Sequence, residues 1–279
     1  MSYIFNVFKE FKLPLMLIYL YTLVAQLLFL VEPFLLGKAI DGVLAGSYIF
    51  LCILLFVYVI QNIFMYKRMV YDTKVYTTIY NKIIFQYLKT DQNSHASTKI
   101  ARTDMAHNVI NFLENDIQYF IMSIMSLVGT LFFIFMQDVA TGFVVAIGII
   151  PVVFIVKMLY SKIAQATKVG FNQYERKIDI LTKGDRSEID TFFLRRRKIM
   201  ISGSTLQGKN WFALNTSKSI FLILALIVFT SGKTTLTQGQ TVSMFSYLNQ
   251  FLISLLSIPI GVETITRIKD VIGRIKAPY

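Results

Sequence analysis

The stretch from Lys157 to Lys218, KMLYSKIAQATKVGFNQYERKIDILTKGDRSEIDTFFLRRRKIMISGSTLQGKNWFALNTSK, decides the fold. Its 62 residues lie between two apolar runs, carry 13 of the chain's 28 Lys and Arg residues, and include no proline. Between Lys162 and Lys183 the residues Ile163, Ala166, Val169, Tyr174, Ile178 and Leu181 recur at helical spacing. Gly184, in Lys183-Gly184-Asp185, sits near the midpoint among charges and predicts a tight turn; Gly170, Gly203 and Gly208 are weaker interruptions. Two helices of about thirty residues, rising roughly 1.5 Å per residue, make an arm on the order of 45 Å long. A link between two membrane spans needs nothing so long, so the rest of the chain is expected to hold this arm.

Composition sets the surroundings. The chain is 55% hydrophobic and 16% charged, where a soluble domain carries about 25% charged residues. It is expected to cross a membrane several times as a single domain over residues 1–279. The net charge of +12 fits basic loops on the cytoplasmic face better than nucleic-acid binding. The one cysteine, Cys52, lies in an apolar run and excludes a disulfide framework or a Cys-based metal site. His95 and His107 stand too far apart to suggest a metal pair. Lys9, Glu10 and Lys12 precede the first apolar run without an Ala-x-Ala site, which predicts a retained first span.

Six spans are expected from uncharged runs of about 18 residues or more. They are Leu13–Val31, Ser47–Tyr66, Ile117–Gln137 and Val139–Val156, then a fifth from Ala213 to Gly232 and a sixth over Val242–Ile260. Only Lys38 and Lys233 fall on the side of the short outer loops; the other 26 basic residues share the opposite face, which is therefore cytoplasmic, with both termini. Asp138 is nearly the whole connection between the third and fourth spans. The 66–116 segment predicts a helix over Val70–Leu88, a turn at Asp91–Ser97, and a helix from Ile100 into the third span.

The expected fold is thus an all-α membrane protein: six transmembrane helices with two long cytoplasmic helical hairpins. This layout resembles the transmembrane domain of ATP-binding-cassette (ABC) exporters, and four stretches carry the resemblance. Pro33-Phe34-Leu35-Leu36-Gly37-Lys38-Ala39-Ile40-Asp41 looks like that family's first-span exit. Ala101-Arg102-Thr103-Asp104 is similar to the Ser-Arg-x-x-Asp stretch after its first coupling turn, one residue shorter. Leu236-Thr237-Gln238-Gly239-Gln240 matches the Leu-Thr-x-Gly turn before the sixth span, and Arg267–Ile275 resembles the extension towards the ATPase domain.

The resemblance implies an arm turn, Gly184-Asp185-Arg186, that docks on an ATPase, with Arg102 and Asp104 at the first coupling turn. It implies a homodimer in which the fourth and fifth spans reach across to the partner subunit. The stretch Leu194-Arg195-Arg196-Arg197-Lys198 departs from the family's second coupling region. The chain is expected to be a stand-alone version, without the family's ATPase domain and with no cofactor of its own, so that ATP acts only through a partner. The implied function is a membrane subunit that exports an amphipathic substrate, driven by a separate ATPase, in the bacterial inner membrane. The alternative is an ATPase-free scaffold, receptor or channel that kept the fold.

Other residues carry two readings each. Glu32, beside Pro33 at the outer end of the first span, is a cavity candidate or a carboxylate among headgroups. Lys218 lines a cavity or reaches the cytoplasmic interface along its own stem. Arg195–Arg197 bind a partner's acids or phosphates or form a solvated face. Gly203-Ser204-Thr205-Leu206-Gln207-Gly208-Lys209-Asn210 has the glycine spacing of a phosphate-binding loop but Asn210 in place of the hydroxyl, and a helical setting. Ser231-Gly232-Lys233-Thr234-Thr235 lacks the first glycine and falls in an outer turn. Asn215-Thr216-Ser217 is a glycosylation triplet on the cytoplasmic side, where it goes unused. No Ser/His/Asp or Cys/His arrangement assembles, so no active site is assigned.

The basic asymmetry predicts orientation. A cysteine placed near Gly184 should react with an impermeant reagent only from the cytoplasm, and one near Asp138 only from outside. Labelling near Gly184 in intact cells contradicts this.

Overall fold

Inside a bilayer no water is available to backbone amides and carbonyls, so a spanning segment bonds within itself, as a helix does. In the computed structural model, which describes residues 9–90, 103, 107, 110–158, 180–182, 184–231 and 236–276, every regular element among the described residues is helical. The main ones are α1 (Lys12–Leu44), α2 (Ile49–Thr90), a π-helical turn (Phe112–Asp116), α3 (Ile117–Gln137), α4 (Val139–Ile147), α5 (Arg186–Thr230) and α6 (Gln238–Lys276).

Three expected boundaries dissolve into longer helices. Pro33 does not end the first span: α1 runs through it to Leu44. The helix expected over Val70–Leu88 is continuous with the second span, and α2 is 42 residues long. Gly203 and Gly208 do not interrupt α5, whose 45 residues join the second half of the arm to the fifth span. At about 1.5 Å per residue α2 and α5 exceed 60 Å, roughly twice a bilayer's hydrocarbon thickness. The turn expected at Asp91–Ser97 and the first half of the arm, residues 159–179, lie outside the described residues.

Among the described residues five helices are long and apolar enough to cross a membrane: Lys12–Leu44, Ile49–Phe85, Leu113–Gln137, Val139–Met158 and Arg186–Thr230. The sixth expected span lies within α6, which is not one of the five. Ser243, Ser246, Tyr247, Asn249 and Gln250 dilute its apolar run.

The chain divides into two compact units, residues 1–143 with 225–279, and residues 144–224. In the first, α6 packs against α1 and α3, and α1 against α2. The face of α6 formed by Met244, Tyr247, Leu248 and Phe251 is wholly buried. Tyr247 stacks on Phe133 of α3 at 5.1 Å, and its hydroxyl donates to the Leu30 carbonyl of α1 at 3.0 Å. Gln137 of α3 donates to the Ser243 hydroxyl at 2.9 Å. Apolar packing alone holds membrane helices weakly, because lipid is equally apolar, so such hydrogen bonds and close approaches carry association. In the second unit Gly148 lies against the Phe221 ring, and Val152, Phe192 and Leu214 are buried.

The closest approach is between α1 and the start of α6. A Cβ at Gly239 would overlap the Gly37 carbonyl oxygen and crowd the Asp41 carboxyl, and one at Gly37 would meet the Gly239 carbonyl. We expect Gly239→Ala to cost about 2 kcal/mol, as overpacking does. Gly208→Ala, with nothing within 4 Å, should be neutral or stabilising by up to about 1 kcal/mol. Thermal melts of both in detergent check this; equal melting points contradict the close approach.

Candidate functional site

Two stretches singled out separately in the sequence, Pro33–Asp41 and Leu236–Gln240, meet at one point. The Thr237 hydroxyl donates to Asp41 Oδ2 at 2.7 Å, and the Gly239 amide donates to Asp41 Oδ1 at 2.8 Å. Thr237 also accepts from the Gln240 amide at 3.1 Å, while Gln240 Oε1 accepts from the Thr237 amide at 3.1 Å. That reciprocal pair is a capping box, and Asp41 adds a carboxylate at the positive end of the helix dipole. The first turn of α6 is thus satisfied twice, once locally and once from α1. The sequence signal for the box, Thr-x-x-Gln before an apolar run, was present; nothing in it pointed to Asp41.

Glu32 is half-buried, and its Oε1 accepts a 2.8 Å hydrogen bond from the Tyr58 hydroxyl of α2. This cavity candidate therefore has a partner on the next helix. Lys218 is half-buried on α5. Arg102 and Asp104 lie outside the described residues.

Gly184, Asp185 and Arg186 are all exposed. Gly184 has φ +73°, in the left-handed region that glycine enters without strain. Asp185 is the N-cap of α5: its Oδ1 accepts from the Ser187 amide at 3.0 Å, and its carbonyl accepts from the Ile189 amide at 2.9 Å. A break in the helix falls at Gly184, where the sequence expected a turn; the sequence treated Asp185 as a docking charge alone. The Gly203–Asn210 stretch lies inside α5, where its amides serve the helix and cannot converge on a phosphate.

A row of polar side chains that sequence reasoning missed lies where α2 leaves the uncharged run ending at Tyr66. Arg68 and Asp72, one turn apart, pair with Nε to Oδ2 at 3.5 Å. Arg68 Nη1 also lies 3.8 Å from the sulfur of Met122 on α3. One turn further, the Tyr76 hydroxyl donates to the Leu113 carbonyl of the π-turn at 3.1 Å. Asp72 is 5% exposed and Gln118 1%. Each of these residues looked ordinary alone; the approach of α2 to the π-turn and to Met122 of α3 brings them together.

A family profile described as the ABC transporter transmembrane region matches residues 5–239 of this chain. The match ends at Gly239, in the first turn of α6. No curated protein matches.

The cap at Asp185 makes a separable prediction. Asp185→Ala should fray the start of α5 by about 1 kcal/mol, seen as roughly five-fold faster amide exchange at Ser187, whereas Asp185→Ser should preserve protection. Unchanged exchange in the alanine variant contradicts the cap.

Proposed function

This chain belongs to the ABC transporter transmembrane-region family, and from that premise we propose that it is the membrane subunit of an exporter that moves an amphipathic substrate as a twofold homodimer. The observation that carries the reading is the family match across residues 5–239. Helices well beyond a bilayer's thickness support the export-type layout, since α2 and α5 extend far past their apolar runs. In this proposal α6 supplies the sixth span, both termini face the cytoplasm, and the membrane is a bacterial inner membrane.

ATP hydrolysis would come from an ATPase outside these 279 residues. Its docking point is the Gly184-Asp185-Arg186 turn, with Arg102 and Asp104 at the other inner turn. A helix-borne turn suits the task because a stiff body transmits displacement, and its exposed charges set specificity and encounter rate. The Glu32–Tyr58 pair places a polar spot on apolar spans, the mixed surface that an amphipathic molecule would contact. Lys218, half-buried on α5, is the second cavity residue proposed.

Arg186→Glu tests the docking role, because Arg186 is exposed and the cap belongs to Asp185. We expect the variant to lose at least ten-fold in co-purifying ATPase or in transport, with dimer mass in detergent unchanged. Loss of the dimer would assign the turn to assembly. Full retention of both would favour an ATPase-free scaffold, receptor or channel.

A further inference from the structure

The hydrogen bond from Tyr58 moves Glu32 from the edge of the bilayer into it. Glu32 follows directly on the first uncharged run, where the sequence leaves a headgroup setting and a cavity equally open. Tyr58, whose hydroxyl donates to Glu32 Oε1 at 2.8 Å, lies 11 residues past Ser47 in the uncharged run 47–66 of α2. At roughly 1.5 Å per residue that is about 16 Å along α2, near the middle of the run. The contacts with α6 agree. Gly37 meets Gly239 and Leu30 meets Tyr247, so Glu32, nearer Leu30, stands level with the first turn of the expected sixth span. Both neighbours place the carboxyl within a hydrocarbon layer about 30 Å thick. An acid at that depth is costly and is kept where it acts.

The surroundings offer oxygen and no positive charge. Pro33 has no N–H, so the Phe29 carbonyl lacks its helical donor in the same turn as Glu32. Gln61 and Asn62, three and four residues past Tyr58, share its side of α2 and bring two side-chain amides. The Tyr58 proton is already spent on Oε1, and Oε2 makes no hydrogen bond among the described residues. Glu32 forms no ion pair among them either. The next cation along α1, Lys38, stands six residues on and on another face, with its ammonium over the Phe34 ring. Glu32 is half-buried rather than sealed, so a ligand can reach it. Val31, Leu55 and Val59, exposed on the same two helices, are available to an apolar body. A neutral or anionic head would leave the carboxylate unmatched in a poorly hydrated place; a cationic head matches it.

We propose that Glu32 is the charge-recognition residue for a lipophilic monovalent cation bound between α1 and α2, with Tyr58 as a positioning residue that holds the carboxylate. The ligand class is one positive charge on an apolar body, which a transported molecule and an amine-bearing lipid both satisfy. This makes the amphipathic substrate of the exporter reading a cationic one; it rests on that reading for movement across the membrane but not for binding.

The test is binding to the full chain in phosphatidylglycerol nanodiscs, with empty discs as background. The probe is tetraphenylphosphonium, and its control is tetraphenylborate, which has the same shape and the opposite charge. We expect saturable binding of the cation and none of the anion. Glu32→Gln should weaken cation binding by about ten-fold or more, whereas Glu32→Asp should retain most of it. Tyr58→Phe should weaken it about five-fold in the unaltered chain and add nothing in the Glu32→Gln background, a non-additivity that a merely structural tyrosine does not produce. Adding phosphatidylethanolamine to the discs separates the two sources. Competition with the probe assigns the site to a lipid amine, and its absence assigns it to a free substrate. Unchanged cation binding in Glu32→Gln overturns the proposal. So does equal binding of both ions to the unaltered chain, which describes an indifferent apolar surface. Absence of saturable binding overturns it as well, whatever Arg186→Glu shows about an ATPase. Saturable, Glu32-dependent binding to a chain that neither recruits an ATPase nor transports keeps the site and overturns the exporter reading alone.

Discussion

The Asp41 carboxylate accepts hydrogen bonds from Thr237 and from the Gly239 amide, and the placement of α6 rests on it. A helix's first amides have no partner within the helix, and in the first turn of α6 Gly239 is buried against α1. Thr237 and Gln240 satisfy two amides from within the segment. Asp41 satisfies another from α1, and in doing so fixes where along α1 the last helix must start. Gly37 and Gly239 allow that approach, because a methyl group at either would collide with the opposing backbone.

Once α6 is anchored there, its buried face explains itself. Tyr247 lies between Phe133 and the Leu30 carbonyl, and Ser243 accepts from Gln137. These contacts tie α6 to α1 and α3 by directional bonds, which a bilayer does not dissolve. The polar residues that make α6 less apolar than the five helices fit to cross a membrane are partly the ones that hold it. Many large apolar side chains on α1, α2 and α3 remain exposed, Leu13, Leu55, Phe56 and Val128 among them, as faces turned towards lipid should be.

At the other end of α2 and α3 the same physics leaves a group unsatisfied. Arg68 is surrounded by two methionine sulfurs and one carboxylate, a poor complement for a five-donor fork. Gln118, 1% exposed, lies beside the Tyr76 hydroxyl. Polar groups of this kind in a membrane protein are expensive and are kept where they act.

Much of this was legible from residues alone. Uncharged runs located the helices that cross, since length and apolarity are local properties, and Gly184 among charges located a turn that φ +73° then required. Local signals failed at boundaries: the first span was expected to end at Val31, and Gly203 and Gly208 read as weak interruptions, yet α1 and α5 run on through them, because neighbouring turns can absorb a single weak residue. What only the tertiary structure decided were the partnerships: Asp41 with Thr237, Glu32 with Tyr58, Arg68 with Met122. The reason is physical. A soluble helix announces its inward face by an apolar stripe, whereas a helix in lipid is apolar all round. Its rotation and register are set by the few polar groups that find one another across helices, and their spacing along the chain carries no trace of that choice.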